Sequence, residues 1–286
     1  MNFKQMLLGC VLAACSTLAL AGRSCEEAPI RPETVSNALA LATQVQTLLD
    51  ERNAEVVLIG RAGQDLTRWG VYYSHFGFAW RDHPKGRWTV VHQLNRCGTD
   101  RSDIYDEGLA NFFLDDLWRM EAVVLVPETG RQQRLAYVLR SGAHLDLHQP
   151  HYNMLAYPFN TRYQNSNQWA LEVIAMTESR DVPVRSREQA QQWLKLAGYT
   201  PKEIHLSTST RLGARLTRAN VAFDDHPGEL RWSDRIRTVT VDSVFDFMRR
   251  RDAQAEVIPV KLSPARPQDH TPVTPPASHS PAPGPQ

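Results

Sequence analysis

The spacing of apolar residues along the chain predicts alternating helices and strands between an apolar N-terminus and a proline-rich C-terminus. Residues 37–50 carry apolar side chains every three or four positions, as on one face of a helix, whereas residues 55–60 form a short apolar run typical of a buried strand. The same helical spacing recurs at residues 105–118, 167–178 and 186–197. Further strand-like runs occupy residues 71–80, 88–92, 122–127, 134–139 and 237–241. This order predicts an α+β fold with a mostly antiparallel sheet packed on helices.

Two of the predicted strands, residues 71–80 and 88–92, carry the first candidates for chemistry. A turn of Asp, His, Pro, Lys and Gly at residues 82–86 separates the strands, so they form a hairpin. His75 lies in the first strand and His92 ends the second. The sequence therefore predicts two imidazoles on adjacent strands, which are either buried core side chains or members of a site.

A third candidate lies among the small polar residues directly before the predicted helix at residues 167–178. Asn165 and Ser166 are residue types preferred at helix N-termini, because their side-chain oxygens accept hydrogen bonds from free backbone amides. A nucleophile is commonly placed at the same position, since a helix N-terminus stabilises negative charge. Ser166 is therefore interpreted either as a helix cap alone or as a residue that is also a nucleophile.

The two segments together resemble a papain-type active site. Ser74-His75-Phe76-Gly77-Phe78 and Val90-Val91-His92 resemble the pair of strands that carries the histidine and the orienting polar residue in NlpC-type cell-wall peptidases. Asn165-Ser166-Asn167-Gln168-Trp169 is similar to the nucleophile motif of the circularly permuted branch, which includes the lecithin retinol acyltransferase group. The likeness covers residues 55–178, and this chain has serine where that superfamily has cysteine.

The resemblance implies a permuted papain-like fold that hydrolyses or transfers acyl groups at amide or ester bonds of a cell-envelope substrate. Ser166 would be the nucleophile, His75 the general base and His92 the group that orients it. Asn165, Tyr73 and Gln168 are expected to support the cleft or the oxyanion site, and no cofactor is expected. The alternative is a catalytically inactive member of the superfamily that binds envelope peptides or lipids in the same cleft.

A second resemblance covers the whole mature chain but implies no activity. The chain is similar to an uncharacterised family of bacterial secreted proteins, a domain of unknown function. Its hallmarks here are Gly60-Arg61, Tyr73-Ser74-His75-Phe76-Gly77 and residues 163–169.

A competing hypothesis places chemistry between residues 144 and 148. His144, Asp146 and His148 alternate, so an extended chain would present all three on one face, where they would be suitable ligands for a divalent metal. The chain lacks the helical His-Glu-x-x-His zinc motif. The sequence therefore leaves open a metal-dependent hydrolase as a third function, against a polar loop that borders the cleft.

The first 21 residues predict export to the periplasm or the medium. A lysine at position 4, an apolar stretch at residues 6–20 and a small-residue site ending at Ala21 are the features of a secretory signal peptide. A competing lipoprotein-type site would leave a lipidated Cys15. We expect cleavage after Ala21 and one domain over residues 22–262.

Cysteine usage fits an exported protein. Once the signal is removed, Cys25 and Cys97 are the two cysteines left, and an even pair in an oxidising compartment predicts a disulfide. A loop of this length corresponds to about 4 kcal/mol of stabilisation in the chain-entropy model. Two unpaired thiols are the alternative, and under either interpretation neither cysteine is a predicted nucleophile.

Charge and composition limit the partners and the extent of the fold. The net charge is +1, from 32 basic and 31 acidic residues, which gives no reason to expect nucleic-acid binding. After the signal there is no apolar run long enough for a transmembrane helix. Eight of the 18 prolines fall within residues 263–286, so this tail is predicted to be disordered.

Overall fold

A six-stranded antiparallel sheet forms the centre of the computed structural model, which describes residues 29–114 and 117–262. Its strands are β1 (Val56–Arg61), β2 (His75–Trp80), β3 (Thr89–Asn95), β4 (Ser102–Gly108), β5 (Glu121–Val126) and β8 (Glu256–Lys261). They lie in the order β4-β3-β2-β1-β5-β8. A separate antiparallel pair consists of β6 (Lys202–His205) and β7 (Arg235–Thr238).

Eight α-helices pack on or beside these sheets within the described residues. They are α1 (Pro32–Glu51), α2 (Leu109–Leu114), α3 (Thr129–Ser141), α4 (Ser166–Glu178), α5 (Arg187–Leu196), α6 (Thr208–Thr217), α7 (Gly228–Arg231) and α8 (Val241–Arg251). Two 3₁₀ turns occupy Thr67–Trp69 and Ala143–Leu147. The predicted α+β class, with a mostly antiparallel sheet packed on helices, is confirmed.

The central strands are covered on both faces, so the large sheet lies between two apolar layers. Every residue of β1 and β2 is buried. Phe76 and Phe78 face the layer formed with α3, α4, α5 and α8, whereas Ile59 and Ala79 face α1 and α2. Because successive side chains of a strand point to opposite faces, His75 and Gly77 share the face of Ala79. The two faces of β2 therefore separate its histidine from its large aromatic residues.

Two of the predicted elements are wrong, although the predicted helices at residues 37–50, 167–178 and 186–197 are confirmed. Instead of one helix over residues 105–118, the chain forms the edge strand β4 and the short helix α2. An edge strand carries many polar residues, and their spacing in β4 imitates an amphipathic helix. The run at residues 134–139 lies in helix α3 instead of a strand. Short apolar runs are ambiguous, because a buried helix produces them as readily as a strand does.

A small second layer, formed by β6, β7 and α6, packs beside the start of α4. Strands β6 and β7 and helix α6 enclose an apolar cluster whose members include Val71, Ile204, Phe223 and Ile236. The loop before α4 bonds to this layer, since the Met154 amide donates to the Asn220 carbonyl at 2.9 Å. The N-terminus of α4 therefore lies between the large sheet and the small one.

Several predictions concern segments outside the described residues. These are the signal peptide of residues 1–21, the alternative lipidation at Cys15, and the tail of residues 263–286. Across the described ranges, no helix is both long and apolar enough to cross a membrane.

Candidate functional site: a serine, two histidines and a glutamate

His75 lies at the beginning of β2, where the strand meets the N-terminus of α4. Its Nδ1 atom is 3.1 Å from the Oγ atom of Ser166, which is 91 residues further along the chain. Both side chains are buried, each with about 8% of its surface exposed. The predicted nucleophile and the predicted base therefore lie within hydrogen-bonding distance.

His92 reaches the other side of the same imidazole because Gly77 leaves room for it. A Cβ atom on Gly77 would lie 2.8 Å from both the His92 Cβ atom and the Val91 carbonyl oxygen, closer than real Cβ contacts allow. With glycine there, β3 approaches closely and His92 Nδ1 lies 2.9 Å from His75 Nε2. His92 is completely buried.

Glu107 on β4 extends the row of hydrogen bonds and was not predicted from the sequence. In the β3–β4 register His92 is opposite Tyr105, so Glu107 is its diagonal neighbour on the same face. The Glu107 Oε2 atom lies 3.2 Å from His92 Nε2. The Glu107 side chain is 21% exposed, so the row runs from a buried serine to a partly solvated carboxylate.

The ionisation of Glu107 fixes the direction of every hydrogen bond in this row. The hydrogen bond from His92 holds the pKa of Glu107 below its ordinary value, so the carboxylate is charged at neutral pH and accepts the proton on His92 Nε2. A neutral His92 then has a bare Nδ1, which accepts from His75 Nε2. The Nδ1 atom of His75 is consequently bare as well and accepts from the Ser166 hydroxyl. This assignment makes His75 a proton acceptor at the serine.

Burial and a nearby arginine keep both imidazoles neutral. Burial lowers the pKa of His75 well below 6.5, and the positive charge of Arg61 lowers it further. Burial also lowers the pKa of His92, although its hydrogen bond to Glu107 opposes this. Arg61 is the cross-strand neighbour of His75, and its guanidinium lies 4.7 Å from the centre of the Phe112 ring and donates to the Phe112 carbonyl. Arg61 belongs to a hallmark of the second family resemblance, and the sequence predicted no role for it.

Ser166 is the first residue of α4, and its neighbours fix the start of that helix. Asn165 is the N-cap, and its Oδ1 atom accepts a hydrogen bond of 2.7 Å from the Gln168 amide. Asn167 ties the helix to β2, because its carboxamide accepts from the Phe76 amide at 3.3 Å and donates to the Ser74 carbonyl at 3.3 Å. These two bonds flank His75. Asn167 therefore sets the position of the base relative to the nucleophile.

Tyr152 is a further neighbour of Ser166 that the sequence analysis missed. Its hydroxyl lies within reach of both the side chain and the backbone amide of Ser166, and burial raises its pKa. Tyr152 also forms one wall of a surface cleft of about 250 Å³, whose lining includes His151 and Tyr163. This cleft therefore comes within one side chain of the serine.

The other residues predicted to support the site, Tyr73, Asn165 and Gln168, lie close to it but bond elsewhere. Tyr73 packs against Tyr72, with ring centres 4.9 Å apart, and burial raises its pKa to about 12. The Asn165 amide group donates to the Thr238 hydroxyl at 2.9 Å. Gln168 donates to the Pro158 carbonyl at 3.2 Å. The two amide side chains thus hold the loop and helix around Ser166, and a role in stabilising an oxyanion stays a prediction.

Beneath Gln168 lies a buried ion pair that anchors α4. Glu172 is completely buried and bonds to Arg187 through both of its oxygens, at 2.7 and 3.1 Å. Gln164 and Gln191 donate to the same carboxylate at 2.6 and 2.8 Å. Burial raises the pKa of Glu172, and these partners oppose the rise. This network accounts for several polar residues around the serine in structural terms.

The proposed metal ligands do not come together. His144 and Asp146 lie on the 3₁₀ turn Ala143–Leu147, so residues 144–148 do not form the extended segment that would present all three side chains on one face. The His144 ring points to the Val138 carbonyl, 3.4 Å away, and His148 lies 3.3 Å from the Ser102 hydroxyl. In residues 29–114 and 117–262, no group of three His, Cys, Asp or Glu residues is arranged to hold a metal ion.

Of the two cysteines predicted to form a disulfide, the structure describes Cys97 but not Cys25. Cys97 lies in the turn between β3 and β4, where it is exposed. Cys25 lies outside the described residues. The pairing of the two cysteines therefore stays a prediction.

Fold and site together define an α+β protein in which a serine at a helix N-terminus, two buried histidines and a glutamate form a continuous row of hydrogen-bonding groups. Residues 48–248 match the model of a family described as an uncharacterized protein conserved in bacteria, DUF2145, and the protein belongs to that family. Comparison with curated proteins and with solved structures gave no match.

Proposed function

We propose that this chain is an exported cell-envelope protein that hydrolyses or transfers acyl groups at amide or ester bonds, with a permuted papain-like site. Ser166 is the nucleophile, His75 the general base, and His92 and Glu107 orient that base. The row of hydrogen bonds from Ser166 to Glu107 is the observation that carries the proposal. Its geometry supports acyl chemistry because nucleophile, base and orienting groups follow one another within hydrogen-bonding distance.

In the proposed reaction, the serine oxygen forms a bond to the substrate carbonyl carbon while its proton passes to His75 Nδ1. The carbonyl electron pair moves to its oxygen, and its return expels the amine or alcohol, which takes the proton from His75. Attack of water or of an acceptor alcohol on the acyl-serine repeats the same proton transfers in the second half. General base catalysis of this kind contributes about 10²–10⁴-fold to a rate.

A serine nucleophile makes the outer part of the row necessary. A cysteine in this position ionises because the helix N-terminus and the imidazole favour thiolate, whereas a serine hydroxyl stays protonated and depends on its base. Transfer of the proton creates an imidazolium at His75, which burial disfavours. Glu107, acting through His92, supplies the negative charge that stabilises this imidazolium.

Two donors beside the serine are suited to the oxyanion of the tetrahedral intermediate. The Ser166 backbone amide lies at the first position of α4, where no intrahelical acceptor exists for it. The Tyr152 hydroxyl lies against the same amide and against the serine side chain. One donor of this kind contributes about 10²–10³-fold in serine enzymes.

The burial of Ser166 favours the alternative function, a catalytically inactive protein that binds envelope peptides or lipids. With 8% of its surface exposed and Tyr152 against it, the serine offers a substrate little access. Under this alternative, the cleft beside Tyr152 receives the ligand and the buried row only holds α4 against the sheet.

A fluorophosphonate probe, which reacts with activated serines, distinguishes the two functions. We expect wild-type protein to be labelled at Ser166, and labelling to disappear in Ser166→Ala and fall at least about 100-fold in His75→Gln. Ser186→Ala is the matched control, because Ser186 is the N-cap of α5 and has no histidine partner. Peptide mass spectrometry identifies the labelled position.

The pH dependence of labelling tests the base. Because burial lowers the pKa of His75 well below 6.5, the imidazole stays neutral and competent as pH falls through 6.5. The rate should therefore decline only at lower pH, whereas an exposed histidine base would lose half its activity near 6.5. If folded wild-type protein shows no labelling across the pH range, the binding function takes precedence.

A further inference from the structure

The cleft beside Tyr152 contains a cationic wall that the proposed reaction does not use. Arg215, from the last turn of α6, and Arg218, which follows that helix, both line it, and Asp100, His151, Tyr152 and Tyr163 form other parts of the lining. Arg218 is the C-cap of α6, so both arginines lie at the C-terminal end of that helix. The volume of about 250 Å³ is sufficient for a small ionic group with its attached atoms.

Neither arginine has a counter-charge in the described part of the chain. Their side chains form no hydrogen bond or ion pair there, and burial alone lowers the pKa of Arg218. Two other arginines with little exposure are paired with carboxylates: Arg187 bonds to Glu172, and Arg131 bonds to Glu178. A partly buried guanidinium without an anion is costly, since each lost hydration contact needs replacement. An anionic ligand could therefore supply the partner that Arg218 lacks.

The acidic residue of the cleft is already engaged. An oxygen of Asp100 lies 3.0 Å from His151 Nε2, and its other oxygen lies 3.8 Å from Arg101 Nε. Asp100 therefore has cationic or hydrogen-bonding partners on its own side of the cleft. The wall formed by Arg215 and Arg218 faces the cleft with its charge uncompensated.

We propose that this cleft binds an oxyanion group, a carboxylate or a phosphate, between the Arg215 and Arg218 guanidinium groups and the wall of His151 and Tyr163. Guanidinium groups recognise both anions with paired, charge-assisted hydrogen bonds. This site does not depend on the chemistry at Ser166. Because Tyr152 separates the cleft from the serine, a ligand held here by its oxyanion lies one side chain away from that hydroxyl.

Titration with small anions tests the site without a known natural ligand. The mature full-length protein is titrated with inorganic phosphate and, separately, with acetate, in chloride buffer of constant ionic strength, and binding is followed by calorimetry and by the unfolding temperature. At least one anion should bind saturably. The double variant Arg215→Gln/Arg218→Gln should weaken that binding at least about tenfold, because two charge-assisted contacts are lost.

Arg231→Gln is the matched control, since Arg231 is also exposed in the small layer but does not line the cleft. It should leave the binding constant unchanged within twofold. The single variant Arg215→Gln removes an exposed side chain and serves if the double variant does not fold. Saturable binding of phosphate alone or of acetate alone supports the site and identifies the class of anion. Absence of saturable binding by both anions, or equal binding by wild type and the double variant, would overturn it.

Discussion

Proton positions at a single residue, His75, link the geometry of the site to its chemistry. The imidazole has one neighbour at each ring nitrogen, Ser166 Oγ at 3.1 Å and His92 Nδ1 at 2.9 Å. Since Glu107 accepts from His92, the bare nitrogen of His75 is the one that faces Ser166. A nucleophile at position 166 therefore meets a proton acceptor and a helix N-terminus together.

Replacing the serine with a thiol measures this environment directly. In Ser166→Cys, the imidazole and the helix N-terminus both stabilise thiolate, so the pKa of the new thiol should fall below the ordinary 8.5. Alkylation by iodoacetamide is followed against pH at that peptide, which separates it from Cys25 and Cys97. The midpoint should lie at least about one pH unit lower than in the control.

Thr208→Cys is the control for that thiol. Thr208 is the first residue of α6, as Ser166 is of α4, and its hydroxyl contacts the Asp234 carboxylate instead of a histidine. A second change, His75→Gln, should raise the midpoint of the Ser166→Cys protein toward the control. The midpoint is independent of how easily the reagent enters, and burial of the thiol at position 166 acts against the expected shift, because burial raises the pKa of a thiol. Equal midpoints in the two single variants would leave Ser166 as part of the helix start only.

At this scale the sequence predicted the serine and both histidines as candidates, but it did not predict Glu107 or Tyr152, which lie beside them. Each of the three stands in a short motif whose neighbours indicate a strand or a helix start. Glu107 was missed because residues 105–118 were interpreted as one helix, which hides the diagonal pairing with His92. Tyr152 lies in an irregular loop, where no periodicity indicates which way a side chain points.

Between the strands β2 and β3, a single glycine controls the distance from His75 to His92. In Gly77→Ala the added methyl group would meet the His92 Cβ atom and the Val91 carbonyl at 2.8 Å, so β3 must move outward. We expect the free energy of unfolding to fall by about 1–3 kcal/mol, as in other overpacked cores, and labelling of Ser166 to slow. Urea unfolding and probe labelling measure the two effects.

Gly108→Ala is the matched control in the neighbouring strand β4, because a Cβ atom there meets nothing within 4 Å. Its stability and labelling should stay close to wild type. If Gly77→Ala were as stable and as reactive as that control, the close approach of β3 would have no role in forming the site.

Helices and strands were predictable from the sequence where their apolar pattern was long or where a capping or turn residue marked their ends. Helix α4 is buried almost all round, and Asn165 marks its start clearly. Strands β6 and β8 were missed because they are short or lie at an edge, where polar residues interrupt the alternation. Pairing of β8 with β5, more than 120 residues earlier, depends on tertiary contacts that local spacing does not encode.

For the whole molecule, the boundary of the fold should lie close to Leu262. Strand β8 pairs with β5 along six positions, and the Leu262 amide donates to the Met120 carbonyl at 3.1 Å. The proline-rich composition after this point offers few apolar side chains for a core. A chain ending at Leu262 should therefore keep the unfolding temperature of the mature protein, measured by circular dichroism.

A chain ending at Ala255 provides the contrast, because it also loses β8. Ile258 and Val260 pack against the α1 and α2 side of the core, and β5 would be left with an open edge. Its unfolding temperature should drop by about 5 °C or more. A similar drop for the chain ending at Leu262 would show that residues 263–286 contribute to the fold.

Two hydrogen bonds from the Asn167 side chain to the backbone on either side of His75 tie the start of β2 to the first turn of α4. A movement that displaces β2 carries the first turn of the helix with it, so the spacing between imidazole and hydroxyl is preserved while the surroundings shift. Separating His75 from Ser166 therefore requires the start of β2 and the first turn of α4 to unfold together. Parts of the chain 91 residues apart in sequence thus share one local stability.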